Sequence, residues 1–230
     1  FIAAYNAKKQ GVRDYVVQMM FNTPPGTTPR MDLAKMSAKL EMISELEDDH
    51  FKVIREVRAG IAHFSPQASV AKGQLSASSL ISLLMKPHIL HVVGFSEGDH
   101  ASSPEELIES CQIVHGVIRN ALTGLPDVWT DNSILSRKGQ LINEAKVLID
   151  AFSFLGADFD DPLTEPYVIT SAIREGILDT PHFRGNPMLR GEINTGLVDG
   201  GWEAMDPMTG KAIDEETRIT RIFKRIKTQK

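Results

Sequence analysis

The sequence predicts an α/β fold made of consecutive strand–helix units, and three observations lead to this prediction. Short apolar runs at residues 15–21, 51–57 and 89–93 are each followed by a loop and an amphipathic segment. The runs begin roughly 36 residues apart, which fits βα units of a parallel sheet. They are nearly continuous in apolar residues, as is typical of parallel strands covered on both faces. Doubly wound sheets and (β/α)₈ barrels are both built from such units.

Each strand candidate leads into a helix whose pattern predicts a buried face. The first helix carries apolar residues at three- and four-residue spacing, namely Leu33, Met36, Leu40, Ile43 and Leu46. The second helix is expected at residues 69–85. The third begins at Ser103 as N-cap, with Pro104 in the first turn. Its predicted buried face comprises Leu107, Ile108, Cys111, Val114, Val117 and Ile118.

The pattern changes in the second half of the chain, so we predict two regions. Residues 1–130 hold the βα units, and residues 131–230 form a helical and extended C-terminal region. This region contains two helical patterns, a glycine-rich stretch at 178–210 and a basic end from residue 218 onward. The basic end, with arginines at 218, 221 and 225, is typical of a solvated or partner-facing helix.

Composition excludes several classes of protein. A net charge of −5 and a pI near 5.8 give no reason to expect nucleic acid or an anionic membrane as partner. The single cysteine, Cys111, excludes an internal disulfide and cysteine-based zinc sites, and it favours a reducing cytoplasm. No apolar run reaches the roughly 20 residues that a membrane span needs.

Polar residues follow each strand candidate, at the edge where functional groups gather in parallel α/β folds. The third loop is the richest, because a carboxylate pair and an imidazole lie close together between glycines. We predict that the catalytic residues are Glu97, Asp99 and His100. The predicted cofactor-binding residues are Asn22, Arg58, His63, Gly94 and Ser96. The glycines of this loop would let its backbone approach a flat cofactor closely.

Simpler interpretations exist for the same residues. The third loop could be a solvated loop that caps the next helix, and Arg58 could pair with Glu56 instead of an anionic ligand. His63, His91 and His100 could also converge on a metal ion, which would indicate a metal-dependent hydrolase or lyase. The sequence has no metal-ligand spacing such as His-Glu-x-x-His.

Four stretches of the chain together resemble one known family. Residues 7–12 lead into a strand, a Ser65-Pro66-Gln67 loop follows the second strand, and a proline-started helix follows the third. The most specific stretch is 172–181, which reads Ala-Ile-Arg-Glu-Gly-Ile-Leu-Asp-Thr-Pro. Their order is similar to the C-terminal half of the epsilon subunit of glutamate mutase, also called methylaspartate mutase.

The resemblance implies a fold, a cofactor and partners. The chain would be the C-terminal part of a (β/α)₈ TIM barrel with a helical and glycine-rich extension, and it would bind adenosylcobalamin. The enzyme would be a cytoplasmic isomerase, a radical mutase acting on a small carboxylic acid. The remaining half of the barrel would come from other sequence. Because the Asp-x-His-x-x-Gly signature of cobalamin-binding domains is absent, a separate Rossmann-like cobalamin-binding subunit is expected.

One departure from the family concerns the end of the third strand. The family has a lysine there and a glutamate four residues later, whereas this chain reads Val93-Gly94-Phe95-Ser96-Glu97. The adenosyl contacts are then rebuilt from Glu97, Asp99 and His100, or the substrate differs. We favour a related mutase with a different substrate. The missing lysine also favours the alternative of a non-catalytic, barrel-derived assembly module.

Overall fold

The computed structural model describes residues 1–228 and divides the chain into two compact units. The sheet unit comprises residues 11–138, and the hairpin unit comprises residues 1–10 and the chain from 139 onward. The helices are α1 (Ile2–Lys9), α2 (Pro29–Ser44), α3 (Ala68–Leu83), α4 (Pro104–Ala121), α5 (Asn132–Leu155), α6 (Pro166–Glu175) and α7 (Glu215–Thr228). The strands are β1 (Asp14–Phe21), β2 (Lys52–Ala59), β3 (Ile89–Leu90), β4 (Thr195–Val198) and β5 (Gly201–Ala204).

The predicted α/β character and the three parallel strands are confirmed. The sheet has the order β1-β2-β3, and β1 and β2 pair in parallel from Asp14–Lys52 to Phe21–Ala59. Strand β3 is shorter than the predicted 89–93, because only two of its residues pair with β2. One further bond, from the amide of His91 to the carbonyl of Val57 at 2.9 Å, precedes the point where the chain leaves the sheet.

One face of this sheet forms the core of the sheet unit. Side chains alternate along a strand, and in β1 Val17, Met19 and Phe21 are buried while Val16 and Gln18 are exposed. Met19 and Phe21 pack against apolar residues of α2 and of the segment that directly follows α3. Full burial of a side chain such as Phe21 stabilises the fold by about 1.5–3 kcal/mol. The opposite face of the sheet retains exposed residues, including Val16 and Ile89.

The start of α4 was predicted correctly, and its buried face was predicted only in part. Ser103 caps the helix, because its Oγ accepts the amide of Glu106 at 3.3 Å and its own amide donates to the Glu106 carboxylate at 2.8 Å. The predicted face contains residues that are exposed, namely Leu107, Ile108 and Cys111. Val114, from the predicted face, is buried as expected, and Ser110, which lies outside the predicted face, is buried as well. Ser110 turns inward because its Oγ accepts the buried amide of Phe95 at 3.0 Å.

The hairpin unit combines helices with a two-stranded antiparallel hairpin. Strands β4 and β5 are joined at Asp199 and Gly200, which both have positive φ, 49° and 80°, as a tight hairpin turn requires. The glycine-rich stretch therefore contains paired strands as well as loops. The core of this unit is formed by Ala151, Phe152, Val168, Ala172, Ile177 and Ile219.

The predicted basic helix at the end of the chain begins earlier than residue 218, at Glu215. Its residue Ile219 is buried in the hairpin unit, so the helix is anchored by one face. Gln229 and Lys230, the last residues of the predicted basic segment, lie outside the described residues. Among the helices of residues 1–228, none combines the length and the apolar character needed to cross a bilayer.

Candidate functional site

The carboxyl ends of the three parallel strands bring three loops into direct contact. These loops are residues 22–28, 60–67 and 91–103. Gly60 donates its amide to the carbonyl of Phe21 at 2.7 Å, and a Cβ at Gly60 would lie only 1.8 Å from the hydroxyl of Thr23. A Cβ at Gly98 would lie 2.8 Å from the Cβ of Phe64. The two glycines therefore allow neighbouring loops to touch.

A cavity of about 380 Å³ lies beside the first two loops and between α2 and α3. Its walls are mainly apolar, with Phe21, Val70 and Ile81 among them. The polar groups on its lining include Asn22, Asp32, His63, Gln74 and Ser78. An apolar pocket with a few convergent polar groups at the end of parallel strands is the usual setting of a small-molecule site.

Asp32 is the buried charge of this cavity. The amide of Asn22 donates to its Oδ2 at 2.6 Å, and the ammonium of Lys35 lies 2.7 Å from its Oδ1. Burial raises the pKa of the Asp32 carboxyl, and the nearby positive charge of Lys35 opposes this shift. His63 lies on the lining of the same cavity, so a carboxyl group and an imidazole are presented to one small space.

Asn22 links the first loop to α3. It has a left-handed backbone, with φ of 56°, which asparagine tolerates better than most residues. Its side-chain amide donates to the hydroxyl of Ser78, and this hydroxyl in turn donates to the carbonyl of Gln74 at 2.8 Å. These side-chain hydrogen bonds fix the position of Asn22, whose backbone amide donates to Asp32.

A row of polar side chains crosses the other face of the sheet. The amide of Gln18 on β1 donates to Oε1 of Glu56 on β2 at 3.0 Å, and the ring of His91 after β3 lies 3.3 Å from the same oxygen. The Glu56 side chain is 16% exposed. Arg58 is two residues further along β2, and its Nε donates to the carbonyl of Ala59 at 3.3 Å. Glu56 therefore bonds across the strands and not to Arg58.

The first part of the third loop uses its polar groups internally. The amide of Gly94 donates to the carboxylate of Glu97 at 2.6 Å, and the hydroxyls of Ser96 and Ser102 lie 2.7 Å apart. A Cβ at Gly94 would lie 2.0 Å from the Ser102 hydroxyl. The space beside Gly94 and Gly98 is filled by the chain itself, so these glycines serve loop packing.

The second part of the loop forms a charged cluster at the start of α4. The ring of His100 lies 3.0 Å from the carboxylate of Asp99 and 3.2 Å from that of Glu106. Hydrogen bonds to Asp99 and then Glu106 raise the pKa of His100 above its usual value. The pKa of Glu106 is lowered, chiefly because its carboxylate accepts the amide of Ser103.

The structure brings some of the predicted residues together and separates others. Asn22 and His63 line one cavity. The other predicted residues are not among its described lining residues; they are Arg58, Gly94, Ser96, Glu97, Asp99 and His100. Within residues 1–228, no group of three histidine, cysteine or carboxylate side chains is arranged to hold a metal ion.

Sequence reasoning missed two groups of polar residues at this edge. Asp32 carries a usable signal, because it lies four residues before Met36 on the buried stripe of α2. Gln18 and Glu56 carry another, since both alternate with buried residues within strands. A charged side chain at either kind of position needs a partner, and the partner is visible only in three dimensions.

Comparison with known proteins adds no assignment to this geometry. No protein-family model matches the chain, and no curated protein matches it significantly.

Proposed function

We propose that the chain is the later part of a (β/α)₈ barrel in an adenosylcobalamin-dependent carbon-skeleton mutase related to glutamate mutase. The observation that supports this proposal best is the hydrogen-bonded row of Gln18, Glu56 and His91. It runs from β1 across β2 to the residue that follows β3, on the face opposite the helix-packed core. In a closed barrel, inward-pointing residues of successive strands meet in layers of this kind.

A barrel interior explains why a carboxylate stands on this face. Parallel sheets are normally covered on both faces, and here β1 and β3 both end the sheet. Further parallel strands from other sequence would pair with these edges and enclose the polar row. Glu56 would then be buried with its hydrogen bonds already made, as a buried carboxylate requires. The row would face a small carboxylic acid held in the barrel.

The residues at the edge of the sheet fit the cofactor in part. Gly94 and Gly98 do not fit the predicted close approach, because side chains of this chain occupy the space beside them. Asp99 and His100 fit better, since their side chains are about half exposed. Both ring nitrogens of His100 are bonded to Asp99 and Glu106, so a cofactor would have to replace one of these bonds. When bound, adenosylcobalamin would supply a radical by homolysis of its cobalt–carbon bond. The proposed role of this chain is to bind and orient the cofactor and the substrate. A separate Rossmann-like subunit holds the corrinoid.

The test is reconstitution with cofactor and partner. The full-length protein, its cobalamin-binding subunit and adenosylcobalamin are mixed with small linear and branched carboxylic acids. Electron paramagnetic resonance should detect the low-spin cobalt(II) that homolysis forms only when the substrate is present. Glu56→Gln should reduce this signal by about tenfold or more, because a group that orients the substrate is lost. Glu105→Gln, on the exposed first turn of α4, is the matched control and should leave it unchanged.

Two results would overturn the proposal. One is the absence of a cobalt signal with every acid in a complex that demonstrably binds the cofactor. The other is a full signal in Glu56→Gln, since the polar row would then have no role at the reacting centre.

A further inference from the structure

Four arginines surround a second cavity, which lies in the hairpin unit. The cavity measures about 230 Å³, and the arginines on its lining are Arg190, Arg218, Arg221 and Arg225. Three of them follow each other on α7 at helical spacing, so they share one side of that helix. Met205, Pro207 and Ile213 form apolar wall on the same cavity. Basic and apolar groups are thus presented together to one small space.

Two of the three carboxylates on the cavity lining, those of Asp179 and Glu192, are engaged by close contacts. Asp179 accepts the backbone amides of Gly191, Glu192 and Ile193 at 2.7, 2.9 and 3.0 Å. Glu192 also forms an ion pair with Arg190. Glu175 lies 3.9 Å from the guanidinium of Arg225, beyond hydrogen-bonding range. Asp179 therefore holds the loop, and Glu192 neutralises Arg190.

Two of the four arginines have structural tasks. Arg218 donates to the carbonyls of Gly176 and Ile177 at 2.7 and 2.8 Å and to the carboxylate of Glu215 at 2.7 Å, so it ties α7 to the end of α6. Arg190 donates to the carbonyl of Arg174 at 2.9 Å and pairs with its neighbour Glu192. These contacts use the fork of donors that each guanidinium carries.

Arg221 and Arg225 retain most of their donors. Arg221 makes one hydrogen bond with the described residues, to Asp206 at 3.0 Å, and Arg225 makes one, to the carbonyl of Glu175 at 2.5 Å. Their side chains are 50% and 40% exposed. Asp206 is itself buried and also accepts the amide of Met208 at 2.9 Å, so it fixes the Arg221 guanidinium in place. A guanidinium has five N–H donors, and four remain on each of these two.

From this arrangement we infer that the hairpin unit binds a small organic anion, with its carboxylate or phosphate between Arg221 and Arg225 and its apolar body against Met205, Pro207 and Ile213. Guanidinium groups bind planar carboxylates and phosphates through paired hydrogen bonds. The proposed site is independent of the mutase proposal, because all of its residues belong to the hairpin unit.

Calorimetric titration of the intact chain at low salt tests the site with three probes: phenyl phosphate, benzoate and phenol. At least one of the two anions should bind, and phenol, which lacks the charge, should not. Binding of phenyl phosphate alone assigns the site to phosphate monoesters, and binding of benzoate alone assigns it to carboxylates. Arg221→Gln and Arg225→Gln should each weaken binding by about tenfold, as expected for a lost charge-assisted contact.

Matched variants separate this site from general attraction to a basic helix. Lys224 lies on α7 outside the cavity lining, so Lys224→Gln removes the same charge and should change affinity less than about twofold. Arg221→Lys retains the charge and should still weaken binding, because lysine cannot form the paired contact. Failure of both anions to bind, or equal losses in Lys224→Gln and Arg225→Gln, would overturn the inference.

Discussion

Asp32 shows how one side chain can be required by the fold and still be costly to it. Its carboxylate fixes the left-handed Asn22 through a backbone hydrogen bond, yet it lies in the core side of the sheet unit with 0% of the residue exposed. Burial of the charged form is only partly offset by Lys35. The folded protein therefore holds a proton on Asp32 more tightly than the unfolded chain does.

Replacement of Asp32 should change how stability depends on pH. Because the folded pKa is raised above the unfolded one, the stabilising effect of the protonated form is fully present below the usual pKa of 3.8 and is lost as pH rises through the folded pKa. Asp32→Asn removes this dependence. Urea denaturation at a series of pH values should show that the free energy of unfolding of the wild type falls relative to that of the variant as pH rises. A constant difference would contradict the prediction.

His100 should show the effect of its two carboxylate partners directly. Its pKa is raised, so its contribution to stability is present below the usual value of 6.5 and is lost as pH rises through the folded pKa. An NMR titration of the ring protons should give a midpoint above 6.5. Asp99→Asn, which removes the first-named cause, should move the midpoint back toward the usual value. No change in Asp99→Asn would show that the hydrogen bond is not formed in solution.

The sequence predicted which loops form the candidate site better than it predicted which side chains line the cavity. Asn22 and His63 were chosen because they follow strands, and both line the cavity. Asp99 and His100 were chosen on the same ground, and they form a cluster with Glu106 at the start of α4. Strand ends predict which loops meet. They do not predict which way each side chain points, because this depends on bonds such as that from Gly94 to Glu97.

At the scale of helices, strands and loops, two glycines differ in how much space a side chain would have. Gly60 stands where the first two loops meet, with the Thr23 hydroxyl in the place of a side chain. At Gly116, in the middle of α4, no atom other than its chain neighbours and the backbone of the helix itself lies within 4 Å of the position that a Cβ would take. The same substitution should therefore have opposite effects at the two sites.

Alanine at Gly60 should destabilise the sheet unit, and alanine at Gly116 should stabilise it. Gly60→Ala introduces a clash of the kind that costs about 1–3 kcal/mol in well-packed protein. Thr23→Ala in the same chain should relieve part of this loss, because the closest atom is then absent. Gly116→Ala should gain about 0.5–1 kcal/mol of helix stability. Chemical denaturation measures all four proteins, and a neutral Gly60→Ala would contradict the loop contact.

The elements themselves were largely predictable, and the exceptions have physical causes. The apolar runs and helix stripes predicted β1, β2, α2 and α3 because burial there follows the period of the backbone. The buried face of α4 was predicted only in part: Val114 is buried as expected, but the buried serine Ser110, and not Leu107 or Ile108, faces the core. The hairpin of β4 and β5 was missed because four-residue strands rich in glycine carry little alternation.

At the scale of the whole molecule, the two units have separate cores and separate key contacts. In the hairpin unit, a key contact is made by Asp179, because its carboxylate accepts three successive backbone amides of the loop at Gly191 to Ile193. It belongs to the stretch 172–181, on which the proposed relation to glutamate mutase depends most. The end of α6 at Gly176, with φ of 81°, places Asp179 for these bonds.

Loss of Asp179 should therefore loosen one unit more than the other. Asp179→Ala leaves four backbone amides, the three of the loop and that of Thr180, without their acceptor and should cost the hairpin unit about 3 kcal/mol. Hydrogen exchange should become faster in α6, α7 and the β4–β5 hairpin, while the amides of β1 and β2 keep their protection. Asp199→Asn, at the exposed hairpin turn, is a comparison that removes an acid without these bonds, and asparagine tolerates the positive φ of this position. Equal acceleration in both units would show that the chain unfolds as one cooperative body.

The exposed position of Cys111 has a practical consequence. The chain has one thiol, and it stands in solvent on α4, the helix that begins at the third loop. A maleimide dye or a spin label can therefore be attached at a single known position in the unmodified sequence. Its signal would report changes around α4 and the His100 cluster when a ligand or a partner subunit binds. The same exposure makes this thiol the place where two copies of the chain would crosslink under oxidising conditions, so reductant should be kept in every preparation.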